Sequence, residues 1–168
     1  MTSGPVLNVA DAKLFPNRTE TTPERFGAEV SPIANAIGAK KLGCMLHVVQ
    51  PGKTAFPFHN HHGNEEMFVI LEGTGTYRLG AETYPVKAGD VCSAPAGGAE
   101  TAHQISNTGD TVLKYLAFST RQDPEVVEYP DSGKFGCVAV GEGRDFFSAR
   151  LRFVGRAGET RDYWEGEE

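Results

Sequence analysis

Glycine- or proline-bearing turns recur every few residues along this chain between short apolar runs, and no helical apolar repeat reaches ten residues. A chain punctuated this way folds as strands, because a helix needs a longer period-3.6 face to bury. Leu42 to Gln50 reads as a strand ended by Pro51-Gly52, and Glu66 to Leu71 as one ended near Gly73. Thr76 to Leu79 pairs with Thr83 to Val86 across Gly80-Ala81-Glu82. Val91 to Ala94 stops at Pro95, and His103 to Ser106 and Thr111 to Ser119 flank Asn107-Thr108-Gly109-Asp110. The fold class expected is all-β, a sandwich or barrel.

The ends carry less pattern. Residues 1–41 read as an irregular arm, with one short helix predicted from Ser31 as N-cap, Pro32 as first helical residue and Gly38 as C′. Residues 120–168 form a C-terminal extension. It comprises a polar loop at 121–128, candidate strands at 136–140 and 146–154 around the turn Gly141-Glu142-Gly143, and an acidic tail holding Trp164. Trp164 is expected to dock that tail on the barrel or on a partner subunit. With no linker or repeat, 1–168 reads as a single domain whose core is about 42–119.

Net charge is -6, and an acidic surface repels phosphate backbones, which argues against nucleic acid as a partner. The longest apolar run, Met67 to Leu71, is too short for a helical membrane span, and no basic-then-apolar leader opens the chain. Cys44, Cys92 and Cys137 are widely spaced and odd in number, which suits reduced thiols. Together these point to a cytoplasmic protein without membrane contact.

Three of five histidines crowd into four positions, His59, His61 and His62, followed at once by Glu65 and Glu66. Alternate side chains of a strand share a face, so His59 and His61 point one way and Asn60 and His62 the other. A turn at Gly63-Asn64 returns the chain as the strand starting at Glu66. Two imidazoles and a carboxylate suit a borderline divalent metal. His103, which begins a strand, is the natural candidate for a fourth ligand. Glu65 replaces Glu66 if the turn shifts by one residue. The alternative is a solvated polar loop, the default for an isolated His-x-His.

The segment Gly52-(six residues)-His59-Asn60-His61-(four residues)-Glu66-(six residues)-Gly73 resembles the first motif of the cupin family, with one extra residue before the first His. Gly89-(five residues)-Pro95-Ala96-Gly97-(five residues)-His103-(three residues)-Asn107 resembles the second, with five residues rather than the usual two before the His. The motifs stand 15 residues apart, the spacing of compact bacterial cupins, and the resemblance covers about 42–119. It implies a jelly-roll barrel, the double-stranded β-helix. It also implies the metal ligands His59, His61, Glu66 and His103, one divalent transition metal such as Zn, Fe, Mn or Ni, and a homodimer.

Three functions follow as expectations. The first is a metal-dependent enzyme on a small oxygenated metabolite, of the sugar or sugar-phosphate isomerase or epimerase type, like the phosphomannose-isomerase cupins. The second is a dioxygenase or lyase. The third is a non-catalytic protein that binds or stores a small molecule in the barrel. A phosphate substrate needs a cation near the rim; Gly97 to Ala102 has none, leaving Lys53 and Arg78 as candidates. Glu65, His62 and Tyr115 are candidate general bases, with His62 expected at the surface. His47 is expected to be a satisfied or half-exposed histidine, Phe56, Phe58, Phe68 and Ile70 to be barrel packing, and Tyr77 and Tyr115 to be core. Asn107 is expected to stabilise its turn.

Overall fold

A computed structural model describes residues 4–141 and 149–168. Its strands are β1 (Phe15–Pro16), β2 (Glu29–Ser31), β3 (Leu42–Val49), β4 (Asn60–His61), β5 (Glu66–Glu72), β6 (Thr74–Leu79), β7 (Glu82–Lys87), β8 (Val91–Ala94), β9 (His103–Ser106), β10 (Leu113–Thr120), β11 (Glu125–Tyr129), β12 (Lys134–Ala139) and β13 (Leu151–Gly155). A single α-helical turn, α1 (Ile33–Ala36), precedes β3. The fold is all-β, as the turn spacing predicts.

One sheet has the order β1-β2-β3-β10-β5-β8, and its strand pairs are antiparallel. Two smaller sheets, β13-β12-β11-β4 and β7-β6-β9, complete the barrel. They are stitched together by an isolated antiparallel bridge between His59 and His103. There the His59 N–H donates to the His103 carbonyl at 3.2 Å, and the His103 N–H donates back at 2.7 Å.

Between the sheets lies the core. Val49, Phe68, Ile70, Leu113 and Tyr115 from the first sheet meet Tyr77, Val86 and Ile105 from the other. The outer face of β3 is covered as well. Leu46 and Val48 pack under Ile33 of α1 and its C-cap Ile37, with Leu7, Val9, Ala12 and Leu14 of the arm beside them. Both faces of β3 are thus buried, and a strand covered on both sides reads as a continuous apolar run. Asn107, 1% exposed, donates to the Val49 and Thr111 carbonyls and accepts from Gly109 N, fixing its turn as expected.

Several expectations need correction. Ser31 ends β2 and is buried, so Pro32 takes the N-cap with no side-chain capping bond, although Gly38 does follow in the left-handed region. The arm is not wholly irregular, since β1 and β2 extend the large sheet. Residues 125–128, expected in a polar loop, belong to β11 (Glu125–Tyr129). The second C-terminal strand is described only from Leu151; residues 146–148, and Glu142 and Gly143 of the preceding turn, lie outside the described residues. Trp164 does not dock on the barrel: it is 74% exposed and meets Tyr163 edge-on. Phe58 is buried as expected, outside the two main apolar clusters, under the Arg78 guanidinium at 3.5 Å. The three thiols are free, with Cys92 buried and Cys44 and Cys137 partly so.

Candidate metal centre

The reciprocal backbone pair sets the site. Residues opposite one another on such a rung project side chains to the same face. His59 and His103 therefore both enter the barrel, with ring centroids 4.6 Å apart. Two residues along, His61 shares that face, 5.1 Å from His59. Glu66 enters from the opposing sheet, in register between Ser119 on β10 and Ala94 on β8. Its neighbours along β5, Phe68 and Ile70, are buried beneath it. One ligand atom from each of His59, His61, Glu66 and His103 lies within 4.8 Å of the others. Glu65, by contrast, is exposed, and its backbone N–H donates to Thr120 Oγ1.

The donors fit a cation. Glu66 Oε2 stands 3.0 Å from His103 Nε2 and 3.6 Å from His61 Nε2. His59 Nδ1 is held by the Pro57 carbonyl at 2.8 Å, so its proton resides there and Nε2 keeps its lone pair. Both ring nitrogens of His103 face oxygens, the Thr101 carbonyl at 3.4 Å and the Glu66 carboxylate at 3.0 Å. A neutral imidazole has one N–H to offer, so with that proton on Nδ1 the Nε2 lone pair and the Glu66 carboxylate would both be available to a cation.

Burial pushes the His59 imidazole down to about 4, helped by His103 and His61, against the pull of Glu66. It lowers His61 too. Burial works to raise Glu66, but the His103 hydrogen bond and the surrounding imidazoles outweigh it, and its net shift is downward. Neutral rings and an ionised carboxylate are the forms a metal needs.

The remaining candidates fall elsewhere. Half-exposed His62 turns outward, and Glu128 Oε2 lies 3.2 Å from its Nε2. Asn60, fully buried, donates to the Gly97 carbonyl and to Glu128. His47 is buried rather than half-exposed. It is 3% exposed, stacks on Tyr115 at 4.6 Å, meets Phe56 edge-on, and has only the Met45 backbone as a polar neighbour among the described residues, with no well-formed hydrogen bond at Nδ1. Tyr115 is core, one layer below Phe68, and burial raises its hydroxyl, which disqualifies it as a ready base.

Neither expected cation serves the site. Lys53 donates to the Glu24 carbonyl, and Arg78, beyond Phe58, makes two bonds to Asp131. A different cation is linked to the cluster through an aromatic ring. Tyr129 of β11 lies 6.2 Å from His59, ring facing ring, and half-buried Lys134 of β12 lies over Tyr129 at 5.5 Å. Lys134 pairs with no carboxylate among the described residues. Only the cross-strand register Tyr129↔Lys134 reveals it.

The family model described as Cupin domain matches residues 45–119. The oxalate-binding protein of Thermotoga maritima is 32% identical over 115 residues, spanning 59% of this chain and 87% of that one. A structure described as a putative sugar phosphate isomerase from Acidithiobacillus ferrooxidans superposes with a TM-score of 0.76 at 26% identity, covering 94% of this chain and 96% of that one. A cupin-superfamily sugar phosphate isomerase from Silicibacter pomeroyi has a TM-score of 0.75 at 20% identity, with 93% and 95% covered. At that identity it speaks for the fold alone. Among the described residues, no helix is long and apolar enough to cross a membrane.

Proposed function

Because this chain belongs to the cupin family, we propose that it holds one divalent transition metal at His59, His61, Glu66 and His103. In this reading it is a metal-dependent enzyme on a small, anionic, oxygenated metabolite of the sugar-phosphate isomerase or epimerase type. The observation that carries the reading is the convergence of three imidazoles and one carboxylate within ligand distance of one another, with burial lowering the pKa of His59 and His61. Such an ion, when bound, polarises a carbonyl or hydroxyl oxygen. The chain's own residues do the rest. Phe68 and Ile70 close the floor beneath Glu66 and keep water out of it. Lys134, across Tyr129 from His59, supplies the positive charge for an anionic end. Likeness to a putative sugar phosphate isomerase supports the isomerase class.

The similarity to an oxalate-binding protein favours a second reading, binding of a small dicarboxylate without turnover. In both, the ligand is anionic. The test begins with elemental analysis of untagged protein, where about one equivalent of transition metal is expected. His59→Ala and His103→Ala should each lose it; full metal content in both variants rejects the ligand set. Calorimetry then compares a hexose 6-phosphate, the free hexose and oxalate. Lys134→Met should weaken the anionic ligand by about tenfold, the scale of one charged hydrogen bond, and leave the neutral sugar unchanged. Equal loss for both would remove Lys134 from the site.

A further inference from the structure

Of the three imidazoles in the cluster, two have their Nδ1 held by a backbone carbonyl, that of Pro57 for His59 and that of Thr101 for His103. His61 has no such partner. Its Nε2 faces Glu66, so its Nδ1 points the other way, and that nitrogen is buried without a hydrogen bond among the described residues. The oxygen placed toward it is Glu125 Oε2, at 3.9 Å. Glu125 is itself 6% exposed, at the start of β11, which pairs with β4 through Val127↔His61.

We propose that Glu125 is the positioning residue for His61, accepting its Nδ1 proton so that Nε2 presents a lone pair to the metal. This rests on the metal reading above. It goes further by making a strand outside the matched family segment a working part of the centre. A ring that gives one nitrogen to an ion carries its proton on the other, and a buried proton without an acceptor is costly. The carboxylate is fastened for this role. Its Oε1 accepts from the backbone N–H groups of Gly63 at 3.1 Å and Val126 at 3.0 Å. Its Oε2 accepts from the buried Asn64 Nδ2 and faces His61. Asn64 is anchored in turn by Thr120 Oγ1 and Gln122 N, both donating to its Oδ1. The chain Thr120–Asn64–Glu125–His61 thus runs from the end of β10 to the metal cluster.

Cobalt(II), followed by its visible absorption and by chelator competition, tests this, with the melting temperature of each metal-free protein measured alongside. Glu125→Gln puts an amide N–H₂ where Oε2 stood, because Oε1 must keep accepting from Gly63 and Val126. Cobalt affinity should fall by about 10–100-fold, with an altered visible band. The double variant Asn64→Asp with Glu125→Gln reverses the polarity of the Asn64 bond and repairs it, while His61 still faces a donor. It should recover part of the melting temperature lost in Glu125→Gln, the rest being withheld because the new carboxylate cannot donate to the Gln122 carbonyl as Asn64 Nδ2 does, and it should recover no cobalt affinity. Glu128→Gln, which removes an equal charge from the same strand beside His62, should keep wild-type affinity. Wild-type affinity in Glu125→Gln, recovered affinity in the double variant, or an equal loss in Glu128→Gln would each overturn the role of Glu125. Wild-type protein that binds no cobalt would overturn the metal reading beneath it.

Discussion

Acid should destabilise this protein partly through one histidine outside the His59, His61, Glu66 and His103 cluster. His47 is sealed between Tyr115 and Phe56, and burial lowers its pKa from 6.5 to about 4, against small opposing effects of Glu66 and the Met45 backbone. The folded state therefore holds the ring neutral while the unfolded chain protonates it. The unfolded state binds more protons between those two values, so stability is full above about pH 6.5 and is lost as pH falls toward 4. The whole shift corresponds to about 3 kcal/mol, and between about pH 7.5 and about pH 5 it amounts to about 2 kcal/mol. Urea unfolding at those two pH values, on wild type and on His47→Leu, isolates the effect. The variant has no group to titrate at that position, and the contributions of other carboxylates and imidazoles cancel in the difference. Wild type should lose about 2 kcal/mol more than the variant over this range. Equal losses would mean that His47 is hydrated or protonated in the fold, and the sealed aromatic stack would be wrong.

Two further perturbations test the frame around the site. Gly73, between β5 and β6, has φ +80° and a Cβ there would sit 2.3 Å from the Val112 carbonyl. Gly73→Ala should cost at least about 1–2 kcal/mol from backbone conformation alone, with a melting temperature lower by about 4 °C or more; an unchanged transition would refute the close approach. At Asn107 the order of two variants is diagnostic, because Asp would aim an acceptor at the Val49 and Thr111 carbonyls. Asn107→Asp should therefore destabilise more than Asn107→Ala, by about 1–3 kcal/mol in chemical denaturation. The reverse order would mean the amide donates to neither carbonyl.

The barrel strands were readable because β3, β5 and β10 follow simple burial rules, and the four clustered side chains because His-x-His, an acid after a turn and a strand-initial His keep a period of two. What escaped detection has a common physical reason. β11 inverts the usual pattern, burying Glu125 while Val126 stays 37% exposed, so its residues look like a polar loop. Lys134 comes over Tyr129 only through the pairing of β11 with β12, which no local spacing reveals. Phe58 is buried as its apolar character implies, but that its neighbour is the Arg78 guanidinium is a contact no local spacing reveals. Ser31 lost its expected cap to β2, whose pairing with β3 outweighs one capping bond.

The rung between His59 and His103 gives the cluster a mechanical character. The backbones that carry His59 and His103 cannot separate without opening the two hydrogen bonds that close the barrel, so the sheet sets the spacing from which the two rings start. On the proposed metal reading, an ion whose preferred bond lengths disagree with that spacing is met by side-chain rotation or by strain in the backbone pairing, and rejection of the wrong ion becomes a matter of elasticity as well as of donor chemistry.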